Sequence, residues 1–409
     1  VKKKKNKTIK TLKKIFKYSM LFAAALTLSL GFASCSDDND EPEAPSSVNP
    51  DLNGTDQIVA EACANWREAR QDWEWSEAFL FGPATDFGLD PHTDTWPFDR
   101  VQFDKYMKKY NPATDEDDAA LIDDAIANGQ NLTGFHAVEY LIFRDGEARK
   151  IKDMTANEVY FAQSAAQDLY LSSLKLVTAW GGELSEAEQK IIDNAEFESK
   201  NYGEDFMTAG EPGSKYSSIT LATREIIAGA NEIIGEVRDS KIGAPATGAD
   251  VNYIESPFAH NSIVDFYDNI MSCKHALYGG WNVVDQPTAT SLLGVCLKVN
   301  NADMKAAAQN AQTKLDAALN KISIMKKPFV QFYTDQSAKD AMAALDELES
   351  ALDALDGEIE KFSGNATLEA EFKKVNEAFV KNTVIPTYRA LADNDLKLLN
   401  SLKKITWKK

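Results

Sequence analysis

The 409 residues carry 63 acidic against 44 basic side chains, a formal net charge of −19, so the chain lacks the cationic surface that nucleic acid and anionic headgroups demand. Four cysteines with no C-x-x-C spacing argue against both a disulfide framework and a cysteine-held zinc site. The H-E-x-x-H, G-x-S-x-G, Walker A and dinucleotide glycine patterns are missing, which removes the commonest metalloprotease, hydrolase and nucleotide-binding readings.

The chain begins with an address label. Residues 1–17 hold nine lysines and no acid, an apolar run follows from Tyr18 to Phe32, and Ala33-Ser34-Cys35 closes it. A basic start, a short apolar stretch and small residues before a cut describe a secretory signal. The run is too short for a confident transmembrane span. The cysteine after Ala-Ser resembles the lipoprotein signal, in which Cys35 becomes the acylated first residue, so residues 1–35 are expected to be a leader. The membrane is then reached through a lipid anchor only. Residues 36–52 (SDDNDEPEAPSSVNPDL) are polar and rich in Pro and Ser, the composition of a solvated tether. The acidic tract at its start is similar to tracts that direct some lipoproteins to the outer face of the outer membrane.

Beyond the tether, apolar residues recur at three and four. Asp56 is expected to cap a helix that Gly82-Pro83 ends. Ala84–Trp96 reads as a loop, Pro97 as the opening of a helix through Tyr110, and Asp115–Asn128 as a short helix. Asn131-Leu132-Thr133 leads into an apolar segment at 134–144. Thr155–Trp180, Ser185–Met207 and Ser214–Arg238 are periodic stretches, and 239–256 reads as a junction. Ser256–Tyr278, Ala302–Ile324, Asp335–Phe362 and Thr367–Leu402 follow, the last kinked or divided at Pro386. No convincing alternating strand occurs. The expected fold is all-α: two antiparallel helical bundles, residues 53–245 and 246–409, packed side by side.

The chemistry concentrates in Gly134-Phe135-His136-Ala137-Val138-Glu139 and the apolar residues after it. Positions three apart on a helix share a face, so His136 and Glu139 reach a common point. A helix apolar all round is normally buried. Burying an imidazole and a carboxylate is costly unless they pair with each other, bind a cation or line a wet cleft. Imidazole nitrogen and carboxylate oxygen suit zinc or iron. A closed metal site would draw further ligands from Glu77, Asp99 or His260. Gly134 lets another backbone or a ligand approach closely. Glu77, inside an apolar helix end, needs a partner, with Arg100 or Arg144 in view and a buried salt bridge the expected result. His275 reads as helix packing and His92 as a loop residue.

Gly134-x-His136-x-x-Glu139 resembles the G-x-H-x-x-E signature of the imelysin family, catalogued as metallopeptidases. The likeness extends to Trp75-Ser76-Glu77-Ala78-Phe79-Leu80-Phe81-Gly82-Pro83, to Trp96-Pro97-Phe98-Asp99, to Ser256-Pro257-Phe258-x-His260-Asn261 and to Asp268-Asn269-Ile270. It implies two helical bundles, a cell-envelope protein, a ligand site near the interface of the bundles, and a link to bacterial iron uptake. It therefore implies iron, haem or a related ligand, and partner proteins of an uptake system. The implied site residues are His136 and Glu139 first, then Gly134, Trp96, Asp99, His260 and Glu77. The alternative is a zinc-type metallopeptidase using His136 and Glu139. Such chemistry needs a third ligand, an open coordination position and a separate base, and Glu139 cannot be both ligand and base.

Overall fold

The computed structural model describes residues 51–108 and 118–407. The expected leader with Cys35, and all but the last two residues of the tether, lie outside the described residues. The first long helix, α1 (Asp56–Glu74), is capped by Thr55, whose side chain accepts from the Ile58 amide at 3.3 Å. Asp56, the expected cap, instead accepts from the Ile151 amide at 2.9 Å and ties the helix start to a distant loop. Val59, Ala62, Trp66, Ala69 and Trp73 form its buried stripe. The stretch read as a loop after Gly82 folds into two short helices, α2 (Pro83–Asp86) and α3 (Leu89–Asp94). Next come α4 (Arg100–Met107), α5 (Asp118–Asn128) and α6 (Gly134–Ile142). A two-residue ladder, β2 (Phe143–Arg144) with β3 (Glu147–Ala148), follows α6, and β1 (Leu52–Asn53) pairs antiparallel with β4 (Thr406–Trp407).

The long α7 (Ala156–Ala179) opens on a capping box between Thr155 and Glu158. Ser185–Met207, periodic throughout in sequence, is broken into α8 (Glu186–Asn194) and α9 (Tyr202–Met207). α10 (Ile219–Glu236) does not stop at the expected junction: a π turn, Val237–Ile242, carries it on into α11 (Gly243–Thr247). The second half holds α12 (Ser262–Tyr278), α13 (Leu292–Lys298), α14 (Ala302–Ser323), α15 (Phe329–Phe332), α16 (Gln336–Glu360), α17 (Ala366–Ala378) and α18 (Ile385–Leu402). The break expected at Pro386 takes the form of a second π turn, Phe379–Val384, which lets the chain stay helical into the proline.

Helices from the two halves of the sequence interleave. The last helix, α18, lies along α1 and α7, while α10 packs on α12, α16 and α17, and α14 lies beside α16. One continuous hydrophobic core runs from Leu52 to Ile405 and crosses position 245 without a break. Every residue of α6 is buried within it, against α1 and α7.

Candidate functional site

Gly134 explains how the central helix is seated. Its φ is +70°, and a Cβ there would stand 2.2 Å from the Thr93 carbonyl oxygen, so only glycine admits the end of α3 this close. That approach brings Asp94 to the start of α6. His136 Nε2 then lies 3.1 Å from Asp94 Oδ1, off the line of a good hydrogen bond. His136 Nδ1 faces Glu139 Oε2, also at 3.1 Å. The remaining Glu139 oxygen, Oε1, accepts the amides of Phe258 and Ala259, both at 2.8 Å. Burial alone would lower the His136 pKa, but the Asp94 and Glu139 carboxylates on either side of the ring outweigh it and raise the value to about 9. The imidazole is therefore a cation held between two carboxylates.

This pair is one corner of a larger buried network. Arg70, one turn before Glu74 on α1, contacts Asp94 and Glu74 and reaches Glu255 at 2.7 Å and Asp265 at 3.7 Å. Lys241, presented by the first π turn, lies 3.0 Å from Glu255, 3.1 Å from Glu77 and 3.5 Å from Glu74. The Trp96 ring covers its ammonium at 5.0 Å. Asn269 donates to Glu74 and, at 2.9 Å, to Glu77, and Trp73 Nε1 donates to Asp94 at 2.8 Å. Three cationic side chains thus face six carboxyl groups: Glu74, Glu77, Asp94, Glu139, Glu255 and Asp265. Despite its burial, Asp94 is held well below the usual carboxylate range by Arg70 and then His136. Burial drives Glu74 and Glu77 well above that range, against the pull of Arg70 and Lys241, and raises Asp265 to about 6. The surplus carboxyls take up protons before they bear uncompensated buried charge.

Within the network, Asp94–His136–Glu255, Glu74–Glu255–Asp265 and Glu74–Glu77–Asp94 each bring donor atoms within 4.8 Å, a spacing compatible with a metal ion. Within the His136–Glu139 pair, Glu139 has no oxygen left for zinc or iron, and His136 could bind one only on giving up its ring proton. A metal needs a neutral ring nitrogen with a free lone pair. Here both ring nitrogens face carboxylates, and both Glu139 oxygens are spent, one of them on two backbone amides.

The structure gathers His136, Glu139, Glu77 and Trp96 around one network and uses Gly134 as the close backbone approach. Glu77 has its buried salt bridge, but to Lys241, neither Arg100 nor Arg144 being its partner. Asp99 serves elsewhere, as N-cap of α4, accepting from the Gln102 amide at 2.9 Å. His260 stands at the rim of a surface cleft in a left-handed conformation, φ +53°. His275 is buried edge-on to Trp75, and burial followed by Lys274 lowers its pKa to about 4. His92 faces Asp168 at 2.5 Å. Arg70, Glu74, Asp94, Lys241, Glu255 and Asp265 were not singled out in the sequence. Arg70 and Glu74 carried a usable signal, two opposite charges one turn apart on the Trp66–Trp73 face of α1. Lys241 and Asp94, in segments read as junction and loop, carried none.

A family model described as Imelysin matches residues 46–377. Iron-regulated protein A of Synechococcus elongatus is 29% identical over 218 residues, 53% of this chain and 50% of that protein, so the chain spans about half the length of the curated relative it matches. A solved structure described as an iron-regulated protein A precursor, from Parabacteroides distasonis, superposes with a TM-score of 0.59 over 74% of this chain and 83% of its own. At 24% identity that likeness is one of fold. An imelysin peptidase from Bacteroides ovatus is 25% identical, with a TM-score of 0.50 over 59% of this chain and 65% of its own. With the matched span covering most of its length, and the buried Gly134–His136–Glu139 segment inside that span, this chain belongs to the imelysin family.

Proposed function

We propose that this protein is a lipid-anchored component of the cell envelope that binds an iron-related ligand, such as ferric ion, a ferric chelate or haem, and that it does not cleave peptide. The observation that carries the reading is the saturation of the motif: both ring nitrogens of His136 face carboxylates and Glu139 has no oxygen left over. Metal-assisted hydrolysis requires an open coordination position with an activated water and a free base, and neither side chain has that capacity. The iron assignment is supported by the Synechococcus elongatus relative described as iron-regulated protein A. Placement in the outer membrane, facing the periplasm or the cell surface, is supported by Ala33-Ser34-Cys35 behind a basic, apolar leader. Components of an uptake system are the corresponding protein partners.

The test uses the chain carrying Cys35→Ser, produced without its leader. Calorimetric titration with ferric ion, ferric chelate and haem should give saturable binding to at least one. An unstructured peptide should survive incubation with and without chelator. Chelator-sensitive cleavage that disappears in Glu139→Gln would overturn the reading in favour of a zinc-type peptidase. Radiolabelled palmitate on the wild-type chain but not on Cys35→Ser checks the anchor.

A further inference from the structure

A cleft of about 400 Å³ opens by the C-terminal end of α6, with Arg100, Arg144 and His260 around it and the rings of Tyr140 and Phe258 in its wall. Two features set it apart from the rest of this acidic surface. Neither arginine has a carboxylate within ion-pair distance among the described residues, although acids outnumber bases in the chain. Arg144 is half-buried, lies over the Tyr140 ring at 4.3 Å, and spends its Nη1 on the carbonyls of Tyr140 and Phe143, the latter at 2.8 Å. Burial, and then the neighbouring Arg149, press its pKa downward, so an incoming anion would relieve an unfavourable charge. Among the residues lining the cleft the one acid, Asp145, is exposed at the hairpin tip, and the Tyr140 hydroxyl donates to Asp104 at 3.1 Å.

The far wall is a short loop held under strain. Ser256 and His260 both take left-handed backbone conformations, φ +45° and +53°, which non-glycine residues rarely adopt. Glu139 grips this loop through the Phe258 and Ala259 amides, Arg67 donates to the Ala259 carbonyl at 2.8 Å, and the Gly146 amide donates to the Phe258 carbonyl at 2.9 Å. Gly146 packs so closely on His260 that a Cβ there would lie 2.6 Å from the ring Nδ1.

We propose that this cleft binds an organic anion, a carboxylate carried on a flat apolar body, and that Glu139 is the positioning residue that shapes its wall. The forked guanidinium groups match a planar carboxylate, while the partly exposed Phe258 ring supplies apolar surface for the body that an inorganic oxyanion would leave uncovered. The motif then acts from inside the core: its carboxylate never touches the ligand but sets the loop that does. The inference rests on the ligand-binding reading above for the expectation of a guest, and adds its place and charge.

Metal-free 2-naphthoate is the probe, with neutral 2-naphthamide and inorganic phosphate beside it, followed by ligand-observed NMR on the Cys35→Ser chain. Naphthoate should bind saturably and at least tenfold more tightly than either control. Arg144→Gln and Arg100→Gln should each weaken it about tenfold, while the exposed Lys152→Gln should not. Glu139→Ala should abolish binding, Glu139→Gln, which keeps an oxygen for the two amides, should retain it, and the remote core variant Leu345→Ala should retain it despite lost stability. Equal binding of naphthamide, or naphthoate binding indifferent to both arginines, overturns the inference. Saturable ferric or haem binding without naphthoate binding sinks this inference alone, whereas naphthoate binding without any iron-related ligand sustains it and sinks the earlier reading.

Discussion

Gly134→Ala offers the sharpest test of how the site is built. Two terms separate the variant from the wild type. Holding alanine at a φ of +70° costs about 1–2 kcal/mol. The new Cβ would sit 2.2 Å from the Thr93 carbonyl, and relieving such an overlap in a packed core costs about 1–3 kcal/mol. The expected loss is about 2–5 kcal/mol, a large share of the ordinary stability of about 5–15 kcal/mol. Gly364→Ala is the matched control: its φ is +85°, but nothing lies within 4 Å of the new Cβ. Both variants lose the same glycine freedom in the unfolded chain, so that contribution cancels in their difference. Equilibrium urea unfolding followed by circular dichroism should place Gly134→Ala at least 1 kcal/mol below Gly364→Ala. If the two variants unfold at the same urea concentration, the close approach of α3 to α6 does not hold Asp94 against His136 as argued.

Three other outcomes follow from the same network. His136 has its pKa raised from 6.5 to about 9, so its contribution, about 3 kcal/mol for such a shift, is complete below pH 6.5 and fades as pH rises through 9; urea unfolding at pH 6 and pH 10 should show a smaller loss for His136→Asn than for the wild type. Lys241→Met strips the ammonium from Glu74, Glu77 and Glu255 and should destabilise by about 3–5 kcal/mol; adding Glu77→Gln should recover part of that, and additive losses in the double variant would contradict the coupling. Cys63, Cys273 and Cys296 are buried, and burial raises each pKa to about 12, so in the Cys35→Ser chain a thiol reagent at pH 8 should label none of them until denaturant is added.

The helical class was readable because it rests on local physics. Thr155 with Glu158 and Ser185 with Glu188 form capping boxes where helix starts were read, and Gly279, with φ +78°, ends α12 where the glycine pair stands. The burial of α6 was equally legible from its unbroken apolar run. The partners of His136 and Glu77 were not. Asp94 is 42 residues from His136 and Lys241 is 164 residues from Glu77, and no spacing rule joins positions that meet only after α1, α3 and α10 have packed. The interleaving of the halves was hidden for the same reason: periodicity tells which face of α18 is apolar, not that α1 and α7 receive it. The π turns escaped notice because a run of αR residues looks the same in sequence whichever carbonyl each amide selects. One of them decides where Lys241 points.

The pairing of β1 with β4 sets Leu52 opposite Trp407 and Asn53 opposite Thr406. Residues 355 apart in sequence are therefore hydrogen-bonded neighbours, and a short Gly-Ser connector would close that gap without bending either strand. A circular permutant opened at Ser363-Gly364, in the exposed turn before α17, should keep the wild-type fold with its ends relocated. An affinity handle or surface linkage could then be attached at that exposed turn, in place of the paired ends at β1 and β4.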